Sequence, residues 1–313
     1  MVKVKSKIEK IRKSVQIIWT ILTNGFISGF IQGKIYTGGL KKLCLPGLNC
    51  YSCPGALGSC PIGSLQAVIG SREYKFSFYV AGFLVFVGAF VGRFVCGWMC
   101  PFGLLQGLLN KIPFFVKIKT FKGDKLLRKL KYIILAIFVI LLPMLVVDVT
   151  GLGEPWFCKY LCPVGMLEGG IPLVVKNEAL RSTVGFLYAY KGVILTITLL
   201  LSVIIYRPFC KYICPLGAIY SLFNRFSFVH ISKNEDKCIN CNKCNNSCKM
   251  NIDVKNNPNN SECIRCGKCI SACPCDVLKF SIGRDKPKTF SADAKSVKYC
   301  NQGTKKEEEN RKN

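Results

Sequence analysis

Eight cysteines near the C-terminal end of the sequence form two runs with the same spacing. The first run is Cys238-x-x-Cys241-x-x-Cys244-x-x-x-Cys248, and the second is Cys263-x-x-Cys266-x-x-Cys269-x-x-x-Cys273-Pro274. Three closely spaced thiolates fit three corners of one iron–sulphur cubane, and the fourth cysteine of each run binds the neighbouring cubane. The spacing therefore predicts two [4Fe–4S] clusters: cluster I on Cys238, Cys241, Cys244 and Cys273, and cluster II on Cys263, Cys266, Cys269 and Cys248.

A pair of four-cysteine zinc sites is the alternative for these eight residues. Zinc sites usually separate two C-x-x-C pairs by a dozen or more residues, which is not the doubled pattern found here. Cys248 is followed by Lys249 instead of proline, a departure that loosens one corner without removing a ligand. Cys275 is an additional cysteine, and we do not expect it to be a ligand.

A second cysteine motif, Cys-Pro-x-Gly, occurs four times and begins at Cys60, Cys100, Cys162 and Cys214. The last three copies follow another cysteine by four residues, so each contributes a C-x-x-x-C pair with both thiols on one helical face. Two pairs supply the ligands of one cluster. We predict a cluster on the inner set, which is Cys96, Cys100, Cys210 and Cys214.

We predict a further cluster at the opposite membrane face, on Cys158 and Cys162 with two of Cys50, Cys53 and Cys60, or on the N-terminal cysteines alone. Disulfides or thiol exchange are the alternative for these outer cysteines.

The cysteine count supports thiolate-bound metal over other cofactors. The chain has 20 cysteines and one histidine, His230, so bis-histidine haem is excluded, and no C-x-x-C-H haem attachment motif is present. Disulfide scaffolds are usually short secreted chains, and no cleavable signal peptide is recognisable. Iron–sulphur clusters are the cofactors that suit this composition.

Hydropathy predicts a membrane domain. Four apolar stretches, 15–33, 76–95, 132–149 and 183–206, approach the length needed to cross a hydrocarbon core of about 30 Å. The first is the weakest, because Asn24, Ser28 and Gln32 interrupt it, and a signal anchor or interfacial helix is its alternative. Basic residues concentrate before the first stretch and after the second, which by the positive-inside rule predicts both termini in the cytoplasm.

The formal net charge of +27 would suggest nucleic-acid binding in a soluble protein. Cytoplasmic segments of membrane proteins collect Lys and Arg, and thiolate-bound clusters add negative charge that the formal count omits. We therefore expect no nucleic acid. Lysines near the ferredoxin-type runs would instead steer an acidic redox partner.

The predicted fold is a membrane all-α domain of about four transmembrane helices in two repeated halves, plus a small α+β ferredoxin-like domain. Residues 1–232 form the first, 233–282 the second, and 283–313 a polar tail that we expect to be disordered. The stretches 102–119 and 216–228 read as helices along the membrane surface. Arg93 and Arg207 precede the paired inner motifs; they are candidates for hydrogen bonds to cluster sulphurs or for interfacial anchors.

Over residues 40–280, these motifs resemble the membrane polyferredoxins related to NapH-type quinol dehydrogenase subunits and to the C-terminal half of NosR-type proteins. The resemblance implies about four spans, a cytoplasmic two-cluster domain, and electron transfer between a quinol pool or cytoplasmic donor and an extracytoplasmic acceptor. The chain departs from that pattern by its Cys50-x-x-Cys53-x6-Cys60 block and by lacking a flavin-binding domain.

The expected function is a membrane-bound iron–sulphur electron conduit, an electron-transfer component of an oxidoreductase with redox partner proteins. A copper reductase or cofactor-assembly accessory and a redox-sensing regulatory protein are the alternatives. Because a single jump across about 30 Å of hydrocarbon is too long for tunnelling, a crossing path requires a quinone or an intermediate cofactor. The residues considered for a quinone site are Asp148, Glu154, Tyr188, Tyr190 and Lys191.

Overall fold

The computed structural model describes residues 2–71, 74–114, 117–146, 153–182, 184–235 and 237–283. The predicted tail falls almost entirely outside the described residues, as does Asp148. Helices dominate the rest. Among the described residues, a two-stranded sheet occurs only in the part that carries the ferredoxin-type runs.

The first half of the chain forms short and medium helices around the first two Cys-Pro-x-Gly motifs. They are α1 (Val2–Thr23), α2 (Ile27–Gln32), a 3-10 turn (Gly39–Lys42), α3 (Pro61–Ser71), α4 (Tyr74–Val91), α5 (Phe94–Trp98) and α6 (Pro101–Leu109). The predicted first crossing at 15–33 is not one continuous helix, because the helical hydrogen bonds stop between Thr23 and Ile27.

The second half contains the longest apolar helix and three π-helical segments. Its elements are α7 (Asp124–Leu127), α8 (Leu130–Ile134), a π segment (Leu135–Leu141), α9 (Leu142–Leu145), a π segment (Phe157–Leu161), α10 (Pro163–Gly165), a π segment (Met166–Gly170), α11 (Ile171–Lys176), α12 (Glu178–Ser182), α13 (Phe186–Ile204), α14 (Pro208–Tyr212) and α15 (Pro215–Phe223).

Among the described helices, α13 alone is long and apolar enough to cross a membrane, and 78–91 within α4 is apolar but shorter. Many large apolar side chains nevertheless point outward on several helices, including Phe78 and Phe86 on α4 and Phe186 on α13. The four-span arrangement stays a prediction.

The C-terminal part is small and mixed. It comprises β1 (Val229–Lys233), α16 (Lys243–Ser247), α17 (Lys268–Ala272) and β2 (Leu278–Ile282). The strands are antiparallel and pair Ile231 with Phe280, and Ile231 is buried. Helices α16 and α17 each begin after two cysteines of a run and end one residue before its fourth cysteine.

Candidate iron–sulphur sites

Each Cys-Pro-x-Gly motif starts a helix with its cysteine as the N-cap. In α6, Pro101 occupies the first turn, and the Gly103 amide donates to Cys100 Sγ at 3.3 Å. In α15, the Gly217 amide donates to Cys214 Sγ at 3.4 Å. Proline suits this position because its missing N–H is not needed there. A thiolate at a helix N-terminus is also stabilised by the helix dipole and by the free amides.

The glycine of each motif leaves space in front of the cysteine. A Cβ added at Gly103 would lie 3.2 Å from the Cys96 carbonyl oxygen, and one at Gly217 would lie 3.3 Å from that of Cys210. Both contacts are tighter than an ordinary van der Waals contact. The arginine of the other half also lies there, since the same added Cβ atoms would be 3.2 Å from Arg207 Nη1 and 3.5 Å from Arg93 Nη2. The motif therefore combines an N-cap sulphur ligand with a gap that admits the carbonyl group of the preceding cysteine and the arginine of the other half.

The inner set is brought together and buried: its four cysteines are only 4–7% exposed. Burial, followed by the negative charge of neighbouring thiolates in the same set, raises the pKa of Cys100 and Cys214. Four neighbouring thiolates in a buried, apolar environment require a positive charge between them, because an uncompensated buried charge is strongly unfavourable. An iron–sulphur core supplies that charge, so the residues fit the predicted cluster.

Two arginines connect the halves of the inner set reciprocally. Arg93, from the first half, donates through Nη2 to the carbonyl oxygen of Cys210 at 3.3 Å. Arg207, from the second half, donates through Nη1 to the carbonyl oxygen of Cys96. Both side chains are fully buried, which contradicts the interfacial-anchor interpretation. Within the described contacts they hold ligand carbonyls, and neither donates to a sulphur.

Arg207 also adopts a left-handed backbone conformation, with φ of 52°. This conformation is unfavourable for a residue with a Cβ and typically persists where the surroundings impose it. Here it lets the chain turn directly from the end of α13 into α14, which carries Cys210. The turn places Cys210 opposite the first half.

The residue six positions after the cysteine of each Cys-Pro-x-Gly motif contacts the cysteine sets, and the sequence interpretation missed it. Gln106 donates through Nε2 to Cys210 Sγ at 3.2 Å, and Gln66 donates to Cys158 Sγ at 3.3 Å. Both glutamines are buried. The repeated string Cys-Pro-x-Gly-x-Leu-Gln, at 60–66 and 100–106, was the available signal. The other two copies carry Glu168 and Tyr220 at this position.

The outer set consists of Cys50, Cys60, Cys158 and Cys162. These four thiols line one cavity of about 260 Å³. Burial and the charges of other members raise the pKa of Cys50 and Cys158. All four are free thiols, so the structure contains no disulfide among them.

The remaining N-terminal cysteines point elsewhere. The Cys53 thiol donates to Asn24 Oδ1 at 3.6 Å, and Cys44 has a hydrogen bond with Ser64. Of the N-terminal cysteines considered as companions of Cys158 and Cys162, the structure thus places Cys50 and Cys60 beside them, and Cys53 away from the cavity.

Charged residues around the outer set hold its backbone. Glu168 Oε2 accepts the Cys50 amide at 2.7 Å, and burial raises the Glu168 pKa to about 7. Lys191 donates to the Cys158 carbonyl oxygen at 3.1 Å. Glu154 pairs with Lys159. Two of the residues considered for a quinone site, Glu154 and Lys191, therefore have structural partners here.

The inner and outer sets are adjacent, so the prediction that they lie at opposite membrane faces is wrong. A Cβ added at Gly47 would lie 3.3 Å from the Cys100 Cα, and the next two residues, Leu48 and Asn49, line the cavity of the outer set. The Leu48 amide also interacts with Cys100, and the Asn49 amide with Cys60. Segment 44–60 folds back over α6. The distribution of basic residues along the chain, from which the orientation was predicted, carries no information about such a fold. Tyr220 lies between the two sets and donates to the Pro46 carbonyl oxygen at 3.0 Å.

The ferredoxin-type cysteines form two groups with the fourth ligand exchanged between the runs. Cys248 lies with Cys263, Cys266 and Cys269, each close enough for its charge to affect the others. A cavity of about 30 Å³ is lined by Cys238, Cys241, Cys244 and Cys273. Cys275, beside this cavity, is disulfide-bonded and so is not a free ligand.

The cluster II group packs directly against the inner set. Gly97, next to Cys96, lies so close to Ile264 that a Cβ added there would overlap the Ile264 carbonyl oxygen. Glu262 accepts from Arg93 at 2.7 Å and also pairs with Lys131. Burial raises the pKa of Glu262, but the charges of Arg93 and Lys131 outweigh it and lower that pKa to about 2. The interface is thus both sterically close and ionic.

Among the described residues, no three Cys, His, Asp or Glu side chains converge as they would on a single metal ion. A tetrahedral zinc site would hold its sulphurs about 3.8 Å apart, given Zn–S bonds of about 2.3 Å. A cubane spreads four thiolates more widely because iron and sulphide occupy its corners.

Two family models match the chain. One, described as a 4Fe–4S binding domain, matches residues 76–122, 135–176 and 192–234; the other, a 4Fe–4S dicluster domain, matches residues 230–303. The first covers the repeated Cys-Pro-x-Gly regions from Cys96 onward. The second covers both ferredoxin-type runs.

Three relatives are similar over about half of the chain. The uncharacterized protein MJ0749 of Methanocaldococcus jannaschii is 30% identical over 55% of this chain and 57% of its own length. The methylamine utilization ferredoxin-type protein MauN of Paracoccus denitrificans is 28% identical over 50% of this chain and 48% of its own length. The regulatory protein NosR of Stutzerimonas stutzeri is 29% identical over 50% of this chain and 20% of its own length. The chain therefore spans little more than half of the first relative. No solved structure matches.

The cysteine groups and these similarities define an iron–sulphur electron-transfer protein that binds [4Fe–4S] clusters. The matches support a polyferredoxin-like family of 4Fe–4S proteins, in agreement with the predicted resemblance and with [4Fe–4S] clusters as the cofactor.

Proposed function

We propose that the chain is a membrane-bound electron conduit whose four cysteine sets form one continuous series: cluster I, cluster II, the inner set and the outer set. The observation that carries this proposal is contiguity. Gly97 and Ile264 touch between cluster II and the inner set, and the amides of Leu48 and Asn49 reach from the inner to the outer set. Tunnelling falls steeply with distance, so close spacing favours transfer along this series.

Each [4Fe–4S] cluster, when bound, accepts and releases one electron. The chain's own residues set the conditions for that exchange. Burial of the inner set excludes water, and the Gln66 and Gln106 N–H groups stabilise negative charge on sulphur. Arg93 and Arg207 add positive charge close by, which favours the reduced state.

The two ends of the series differ, which supports separate roles for them. Cys238, Cys241 and Cys244 of cluster I are only partly buried, and Lys233 and Lys255 lie beside them. This end suits an acidic cytoplasmic donor protein. The outer set opens into its cavity, and this end suits a redox partner or a quinol pool. Because the sets are adjacent, the series itself needs no quinone between them.

Membrane attachment is part of the proposal. It is supported by α13 and by the apolar side chains exposed on α1, α4 and α13. Four crossings with a cytoplasmic C-terminal part remain the arrangement that the basic-residue distribution favours.

The decisive experiment is iron and acid-labile sulphide per chain on protein purified without oxygen, followed by EPR of the reduced protein. Four cubanes give about sixteen irons. Content of about eight irons, with ferredoxin-type signals alone, would contradict the continuous series.

Copper reduction and redox sensing stay as alternative hypotheses for the same chain. Lys159 and Lys191 line the outer cavity, and such a lining disfavours a cationic substrate such as Cu(II). Reduction of Cu(II) by the reduced protein in the absence of quinone would favour the metal reductase. Redox-dependent partner binding without electron exchange would favour the sensor.

A further inference from the structure

A basic cavity lies where α1, α6 and the C-terminal part meet, beside the inner set. Six cationic residues line it, and Glu9 is the one anionic residue among its lining. The cations are Arg12, Lys13, Lys111, Arg207, Lys249 and Lys268.

The cations of this cavity are crowded against one another. Lys13 and Lys111 line the same cavity, and their proximity, more than burial, lowers the pKa of Lys111. Charged ammonium groups only donate hydrogen bonds, so these two lysines cannot satisfy each other. Glu9 serves both Lys13 at 3.3 Å and Lys268 at 3.7 Å, and it cannot neutralise the remaining charges.

Two of the cations belong to the buried framework. Arg12 is 5% exposed and Arg207 is 1% exposed. Arg12 donates through Nη1 to the Gly97 carbonyl oxygen at 3.1 Å, and Arg207 donates to that of Cys96. The Nε of each guanidinium is buried and has no hydrogen-bond partner. Packing therefore holds two guanidinium groups at this cavity, each with an N–H group that has no acceptor.

The size and rim of the cavity suggest the ligand. Its volume is about 50 Å³, several times the roughly 10–15 Å³ that one water requires. A tetrahedral oxyanion fits such a space. Leu108 at the rim is exposed, and so are Ile17 and Ile21 further along α1. An apolar surface thus continues away from the cations.

We propose that this cavity binds a phosphate group, either the headgroup of an anionic phospholipid or a free phosphate. Phosphate oxygens accept the ammonium and guanidinium donors that otherwise repel one another. The bound dianion would lie beside the inner set, so binding of the phosphate group and the charge state of that set would affect each other.

The competing explanation is that these cations only balance the negative charge of the inner set and cluster II. The test therefore compares Lys13→Gln/Lys111→Gln with Lys122→Gln/Lys125→Gln, which removes the same charge from exposed lysines outside the cavity. Iron content equal to that of the unsubstituted chain verifies folding of each variant. Lys111→Gln alone, at an exposed residue, provides a milder second variant.

The lipid arm places the full chain in nanodiscs of phosphatidylcholine with or without phosphatidic acid and counts retained lipid by native mass spectrometry. The soluble arm measures binding of radiolabelled inorganic phosphate by equilibrium dialysis in detergent. We expect one phosphate-bearing ligand per chain, bound at least about tenfold more weakly by Lys13→Gln/Lys111→Gln and unchanged in the control. Binding in the lipid arm alone identifies a headgroup, and binding of inorganic phosphate identifies a free phosphate. Absence of binding in both arms, or equal binding by the cavity and control variants, overturns the proposal.

Discussion

The inner and outer sets have the same local construction but different surroundings. In both, a helix N-cap cysteine lies opposite a C-x-x-x-C pair, and a glutamine six residues after the N-cap donates to the first sulphur of that pair. The inner set is enclosed by Arg93 and Arg207. The outer set has Glu168 and Lys191 in the equivalent region and opens into a cavity. The repeated motif thus determines sulphur geometry, and the unrepeated charges distinguish the sites.

This difference suggests different positions in the series. The inner set lies between two other sets and has no open side, as suits a site through which electrons only pass. The outer set contacts one set and a cavity, as suits a terminal site. Variants that affect one set and spare the other can separate these roles.

The largest effect is expected from removing ligands. Cys96→Ser/Cys210→Ser should lose about four irons, and so should Cys60→Ser/Cys158→Ser, because each pair belongs to one cubane. Ferredoxin-type EPR signals should persist in both variants. Loss of about eight irons from either variant would mean that the sets do not load independently. Cys53→Ser is the matched control and should retain full iron, since its thiol faces Asn24.

The next effect concerns the interface between the inner set and cluster II. Glu262→Gln leaves Arg93 and Lys131 buried without their shared carboxylate. Breaking one partner of a buried ionic group costs about 3–5 kcal/mol, so the free energy of unfolding should fall by that order. Thermal or denaturant unfolding measures the change.

Glu235→Gln provides the comparison for that variant. Glu235 pairs with Lys233 at 3.3 Å, but its side chain is 82% exposed. An exposed ion pair contributes less than about 1 kcal/mol. Equal destabilisation by the two substitutions would show that the buried interface has no special role.

A smaller effect should distinguish the two sets electrochemically. Gln106→Leu removes an N–H donor from the inner set, and Gln66→Leu removes one from the outer set. Such a donor stabilises the more negative, reduced cluster, so each variant should lower the potential of one cluster only. A hydrogen bond of about 1 kcal/mol corresponds to roughly 40 mV for one electron. Redox titration followed by EPR measures the shift; a change in both clusters would contradict separate sites.

The smallest effect is expected at Tyr220, between the two sets. Tyr220→Phe removes the hydrogen bond to Pro46 but keeps the buried ring. The free energy of unfolding should fall by about 1 kcal/mol, and iron content should not change. Loss of iron would instead indicate that the hydroxyl is needed to close segment 44–60 over the inner set.

Short-range spacing in the sequence was highly informative about the sites. The C-x-x-C runs predict the two cysteine groups, including the placement of Cys248 with the second run and of Cys273 with the first. They do so because tight turns and short helices fix thiol positions locally. The Cys-Pro-x-Gly motif likewise predicts a helix start. The comparisons confirm the family and the cofactor that these patterns indicated.

Long-range contacts account for what the sequence did not reveal. Nothing in the spacing of Cys50 and Cys60 indicates that Leu48 and Asn49 reach two different sets. The positive-inside rule describes which loops stay in the cytoplasm, not how far a loop folds back into the protein. The buried roles of Arg93 and Arg207 depend on partners more than a hundred residues away.

The enclosure of the inner set has a consequence for how the protein matures. Arg12 and Gln16 of α1 bind the carbonyl oxygens of Gly97 and Cys100, and Ile264 covers the other side of Gly97. With both coverings in place, the four thiols of the inner set are buried. We therefore expect metallation of this innermost position to precede docking of the C-terminal part, which would give cluster assembly a fixed order.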